Sequence, residues 1–170
     1  MEPVGAQLWI AESRQVRIIG WNRDRGTLET LETLDQAGVW CIRRVGQGVW
    51  TGGSEAMVAW SLEGEQLQRV SVRSGAGIRA LYWSPAEGQV WSGDQAGAVV
   101  VWGAREVEPR QRLETGKPIR TMVMVGQEVW IGGEEGLRVL KPAEEMQEAP
   151  FLKAKRIESD QTRNHHKLCD

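Results

Sequence analysis

Residue types able to do chemistry are thinly spread through this chain of 170 residues. Its only histidines, His165 and His166, stand close to Cys169 as His-His-x-x-Cys. A structural metal needs three or four ligands held convergent. This cluster lies in a polar terminal stretch without partner cysteines, so it reads as a solvated tail and no metal is expected. Glycines recur as Gly93-x-x-x-Gly97 and Gly132-Gly133-x-x-Gly136, but a phosphate cradle would continue into a helix and a Gly-Lys-Ser/Thr ending. Hairpin turns, where glycine supplies positive φ without strain, are the simpler reading. Asp94, Glu134 and Glu135 fall in the same turns. Glycoside hydrolysis would need two such acids at a set separation across a cleft, whereas hairpin acids are solvated. With no histidine near them, and Cys41 inside an apolar run, no nucleophile and base pair is available. The expectation is no enzyme and no cofactor.

Three other residues fall into one column. Trp40, Arg79 and Arg120 each follow the first apolar residue of a β-rich run. Tryptophan and arginine are enriched in binding hot spots, and a basic rim would meet an acidic or phosphorylated peptide. The bland reading, ordinary residues on a solvated strand edge, stays open beside it.

The column exists because the chain repeats. Val49-Trp50-Thr51-Gly52-Gly53 returns as Val90-Trp91-Ser92-Gly93-Asp94 and as Val129-Trp130-Ile131-Gly132-Gly133, with a degraded copy at Leu8-Trp9-Ile10-Ala11-Glu12. Trp9, Trp50, Trp91 and Trp130 are 41, 41 and 39 positions apart, a period typical of propeller blades. Around each phrase the pattern predicts short strands and tight turns. Residues 7–22 read as a hairpin followed by an outer strand over 27–34. Further copies run over 38–72, 78–102 and 118–140. Nine tryptophans against one tyrosine and one phenylalanine suit flat rings filling the space between stacked sheets.

The second copy carries a family likeness. Trp83-Ser84-Pro85…Gly88, then Trp91-Ser92-Gly93-Asp94…Gly97…Val99-Val100-Val101-Trp102, resembles a WD-repeat β-propeller blade. Gly103 stands where that family ends on Asp, Ala96 replaces the hairpin Asp, and the repeats hold no histidine. The family's buried Asp–His–Ser relay is therefore not carried over, and packing alone is expected to hold the blades. The tryptophan-and-glycine phrasing is also similar to propellers attached to inositol polyphosphate 5-phosphatases and to some Rho-exchange-factor and kinase proteins.

The resulting expectation is an all-β chain, an incomplete β-propeller arc of about three to three and a half four-stranded antiparallel blades over residues 1–141. Residues 142–170 form a polar tail, disordered or loosely docked, with a helical start allowed at 143–148. The net charge of −2 gives no global field for nucleic acid. No apolar run approaches a membrane span, and two cysteines fit a reducing, cytoplasmic setting. The functional expectation is a noncatalytic scaffold binding a peptide or protein segment through the rim at Trp40, Arg79 and Arg120. The alternative is the regulatory propeller of a larger phosphoinositide 5-phosphatase-like or other signalling enzyme. An open arc also exposes strand edges and apolar faces, to be covered by self-association, two chains completing a ring of six or seven blades, or by missing blades of a longer product.

Overall fold

The computed structural model describes residues 1–71, 76–141 and 147–148. Its first sheet comprises β1 (Glu2–Val4), β2 (Gln7–Ala11), β3 (Gln15–Asn22) and β4 (Thr27–Asp35) in that order. The second comprises β5 (Val39–Val45), β6 (Gly48–Gly53), β7 (Ala56–Ser61) and β8 (Gln66–Ser71). The third holds β9 (Ile78–Ser84), β10 (Gln89–Asp94), β11 (Ala98–Gly103) and β12 (Glu108–Glu114). The fourth holds β13 (Thr121–Val125), β14 (Glu128–Gly133) and β15 (Gly136–Leu140). Within these four sets every pairing is antiparallel between sequence neighbours, as short turns require. The repeat phrase occupies β2, β6, β10 and β14, one copy per sheet.

One local cause recurs four times. The hairpin from the first strand of each sheet to the second turns on a glycine, Gly5, Gly46, Gly88 or Gly126, whose φ lies at 61°, 58°, 62° and 64°. A tight two-strand turn demands that left-handed backbone, and a side chain there would strain it.

The sheets stack in sequence as an unclosed propeller arc. The first strands lie against one another, β1 on β5, β5 on β9 and β9 on β13, so they form the inner edge. Three apolar cores fill the spaces between sheets. Trp9 packs with Val49 and Val58, Trp50 with Ile78 and Val90, and Trp91 with Ile119 and Val129. The three indoles are 0%, 3% and 2% exposed. Each removes about 150–250 Å² from water, a gross stabilisation of about 4–6 kcal/mol. The glycine two positions after the tryptophan makes the stacking close. A Cβ at Gly52 would meet Ile78 of the next sheet at 2.6 Å, and one at Gly93 would meet Ile119 at 2.5 Å.

Packing does not act alone, which corrects one expectation. Trp60 Nε1 donates to the Thr51 hydroxyl at 2.9 Å, and Thr51 donates to the Gln36 amide oxygen, all three being buried. In the next sheet Trp102 Nε1 donates to Ser92 Oγ at 2.8 Å. The repeat lacks histidine, yet a hydroxyl in the second strand and an indole in the third still form a polar link across the sheet.

The outer strand β12 and the short β1 extend the sequence reading. Gln147–Glu148 forms β16, antiparallel to β12, where a helical start was expected over 143–148. The polar tail otherwise lies outside the described residues.

Candidate recognition rim

At the start of β5, Val39 pairs with Gly53 and Cys41 with Gly52, leaving Trp40 as an extra residue. At the start of β9, Ile78 pairs with Asp94 and Ala80 with Gly93, leaving Arg79 in the same position. A bulge bends its strand and re-aims the extra side chain. Here two bulges on neighbouring sheets turn Trp40 and Arg79 toward each other. The Arg79 guanidinium carbon sits 3.6 Å from the centre of the Trp40 ring, within the range of an attractive cation and π contact. Gly77 makes room, because a Cβ there would come within 2.2 Å of the indole. Arg79 Nη2 donates to the Gln95 side-chain oxygen at 3.3 Å. Trp40 stays 38% exposed, so the stack lies at the surface.

Arg120 belongs to a different cluster. It precedes β13, its backbone N–H donates to Gly132 O at 2.9 Å, and its guanidinium pairs with the Glu134 carboxylate. Lys117 pairs with Glu135 beside it. The predicted column therefore resolves into a stacked tryptophan and arginine on the second and third sheets and a charge-paired arginine at the start of the fourth. Those ion pairs are exposed and screened by solvent.

On β5 and β10, beside the strand starts that carry the stack, two ionisable groups are held out of their ordinary range. The Cys41 sulfur is 3.6 Å from Ile78 O and 3.7 Å from Gly52 O, and burial pushes its thiol up to about 12. A thiol kept neutral is a poor nucleophile. Asp94 is 7% exposed, and desolvation raises its pKa although the Ala98 N–H donates to it at 2.7 Å. It caps the β10–β11 turn. Glu134 and Glu135 are exposed turn residues as expected, whereas Asp94, expected to be a solvated turn acid, ends β10 and is buried. Among the described residues no group of three His, Cys, Asp or Glu could hold a metal ion, and no helix is long and apolar enough to cross a membrane. His165, His166 and Cys169 lie outside the described residues.

At the other end of β5 and β9 a shallow cleft of about 390 Å³ is lined by Glu2, Arg43, Arg44, Tyr82, Trp83 and Pro85. Arg43 Nε donates to Leu81 O at 3.4 Å, and its Nη1 lies 4.0 Å from the Glu2 carboxylate. The adjacent arginines and the Tyr82-Trp83 pair are visible in the sequence, but as strand residues nearly 40 positions apart they carry no signal of meeting.

No protein-family model matches this chain, and no curated protein is similar to it in sequence. Among solved structures, the crystal structure of the computationally designed Ika4 protein resembles it with a TM-score of 0.68 at 17% identity, over 82% of this chain and 88% of that one. At that identity the likeness concerns the fold alone.

Proposed function

We propose that this chain is a noncatalytic protein-interaction scaffold that captures an acidic peptide segment across the rim at Trp40 and Arg79, with Arg120 as a flanking charge. The observation that carries the reading is the surface stack of Arg79 on Trp40 at 3.6 Å. Stacking uses the face of the guanidinium and leaves its edge, a planar fork of five N–H donors. One donor is committed to Gln95. The fork matches a carboxylate in a bidentate fashion, and holding it flat on a ring removes rotamer freedom before the partner arrives. The exposed part of the indole supplies apolar contact beside the charge. Cys41, a free thiol kept neutral by burial, suits a reducing compartment, and we place the scaffold in the cytoplasm.

Fluorescence anisotropy with a labelled glutamate-rich peptide tests this reading, a lysine-rich peptide serving as the control. Arg79→Ala should weaken binding about tenfold, equivalent to about 1.4 kcal/mol. Arg79→Lys should recover only part of the loss, because an ammonium cannot stack and fork. Arg120→Ala should cost less, since Glu134 already shares its charge. Equal affinity of wild type and Arg79→Ala, with the fold intact by circular dichroism, would remove the proposal.

A further inference from the structure

The contact between successive sheets repeats along the arc. At each internal interface a second-strand tryptophan shares a buried cluster with the residue just ahead of the next tryptophan in the series. The pairs are Trp9 with Val49, Trp50 with Val90, and Trp91 with Val129. Continued at either end, this pattern leaves Trp130 and Leu8 unmatched. Both are only half-buried, although their counterparts in the inner sheets are buried.

Each unmatched residue sits in an apolar face. In the fourth sheet, Met122 and Ile131 face the third sheet through their shared core. The opposite face presents the cross-strand row Val123, Trp130 and Val139, together with Val125 and Leu137. Four of these are large exposed hydrophobics, Val123 at 50% and Leu137 at 62%. Gly132 repeats the notch of Gly52 and Gly93, but a Cβ there would meet only Thr121 of its own sheet; no isoleucine of a following sheet fills it among the described residues. In the first sheet, Trp9 and Ile18 face the second sheet. The opposite face presents Leu8, Ile10 and Ile19, continued outward by Trp21 and Leu28, which pair across β3 and β4. Leu28 is 63% exposed. Leu8 and Ile19 stand where Val49 and Trp60 stand in the second sheet, opposite each other on the second and third strands.

We propose that a second copy of this chain covers both faces. The fourth sheet of each copy stacks on the first sheet of the other, Trp130 against Leu8 and Ile19. The occupant follows from continuity with the internal interface: a face built to receive a first-sheet surface, and a first-sheet surface that no described residue of another sheet covers, are present together in every molecule. A head-to-tail contact closes only if its rotation completes a circle, and otherwise grows into filaments. Two arcs of four sheets make eight blades, rather than the six or seven expected from the sequence, and eight is within the range in which propellers close. This contact is separate from the rim, so failure of the peptide reading leaves it intact.

Sedimentation through the micromolar range tests it, with a single-face variant at each end. Wild type should sediment at twice the 19.0 kDa chain mass. V123E/V139E alters the fourth-sheet face, and L8E the first-sheet face. Either should halve the mass, because a head-to-tail pair uses each face once per contact and loses both contacts together. An equimolar mixture of the two variants should recover a dimer, since one of its two contacts is then wild type on both sides. That recovery also shows that both variants are folded. A monomeric wild type, larger assemblies growing with concentration, a single-face variant that stays dimeric, or a mixture that stays monomeric would each overturn the proposal.

Discussion

The second and third sheets differ from the first and fourth in what their repeated residues are asked to do. In the inner pair both faces are covered, the tryptophans Trp50 and Trp91 are buried, and each receiving face holds a polar link, Trp60 to Thr51 and Trp102 to Ser92. In the end pair no described residue of another sheet covers the outward face. The positions of Thr51 and Ser92 become Ile10 and Ile131, and those of Trp60 and Trp102 become Ile19 and Leu140. The same fold unit is thus built two ways. A buried hydroxyl and indole are tolerated where neighbours on both sides fix their geometry, because an unmet buried donor is costly. At the ends, purely apolar positions carry no such risk. A repeat protein gains stability from interfaces between neighbouring units as much as from the units themselves, so equivalent substitutions should have unequal effects along the arc.

The largest effect tests that inequality directly. Trp91→Ala should cost about 3–5 kcal/mol, the loss expected for a buried aromatic and the cavity left behind. Trp130→Ala should cost less than about 1.5 kcal/mol in dilute, dissociated protein, where its ring is already partly exposed. Urea denaturation of both variants measures the difference. Equal losses at the monomer mass would erase the distinction between interior and end.

Much of this contrast is legible in the sequence, for a physical reason. The blade interface is made by the same residue types at the same strand positions, so its period is written directly as Trp9, Trp50, Trp91 and Trp130. The turn glycines are equally plain because a left-handed φ restricts residue choice. Strands with little apolar content are not legible. β1 is only Glu-Pro-Val, and β12, reading Glu-Pro-Arg-Gln-Arg-Leu-Glu, shows a polar surface with little alternation to betray a strand. At the rim, the alignment of Trp40 with Arg79 was readable, but their contact was not. It depends on two bulges that shift register by one residue each, and no periodic pattern announces a bulge. Arg120 shared the column yet found Glu134, a partner set by the local turn rather than by the repeat.

A smaller effect separates polar from apolar reinforcement within the inner sheets. Thr51→Val keeps shape but removes the acceptor of Trp60 Nε1 and the donor to Gln36. Stranding buried polar groups in this way costs about 1–3 kcal/mol. Trp60→Phe removes the donor instead. A double-mutant cycle over these two positions should show coupling of about 1 kcal/mol, whereas strictly additive losses would mean that the hydrogen bond contributes nothing beyond packing. In the fourth sheet the corresponding pair, Ile131 and Leu140, is apolar, so its truncation should follow volume alone.

The smallest expected effect concerns the position after the second glycine-bearing strand turn begins, where the sheets differ by one residue. Asp94 stands there in the third sheet, and glycine, Gly53 or Gly133, in the second and fourth. Desolvation raises the Asp94 pKa above its ordinary 3.8, so the folded chain holds this proton at pH values where the unfolded chain has released it. The contribution of Asp94 to stability should therefore be greatest below about pH 4, fall as pH rises from there through the raised value, and level off above it. Asp94→Asn keeps an oxygen to accept the Ala98 N–H while removing the ionisation. The difference in unfolding free energy between wild type and this variant should then shift in favour of the variant across that window and stay constant at higher pH. Parallel curves across the whole range would show that the ionised carboxylate is as well accommodated in the turn as in water, and the third sheet would differ from its neighbours only in packing.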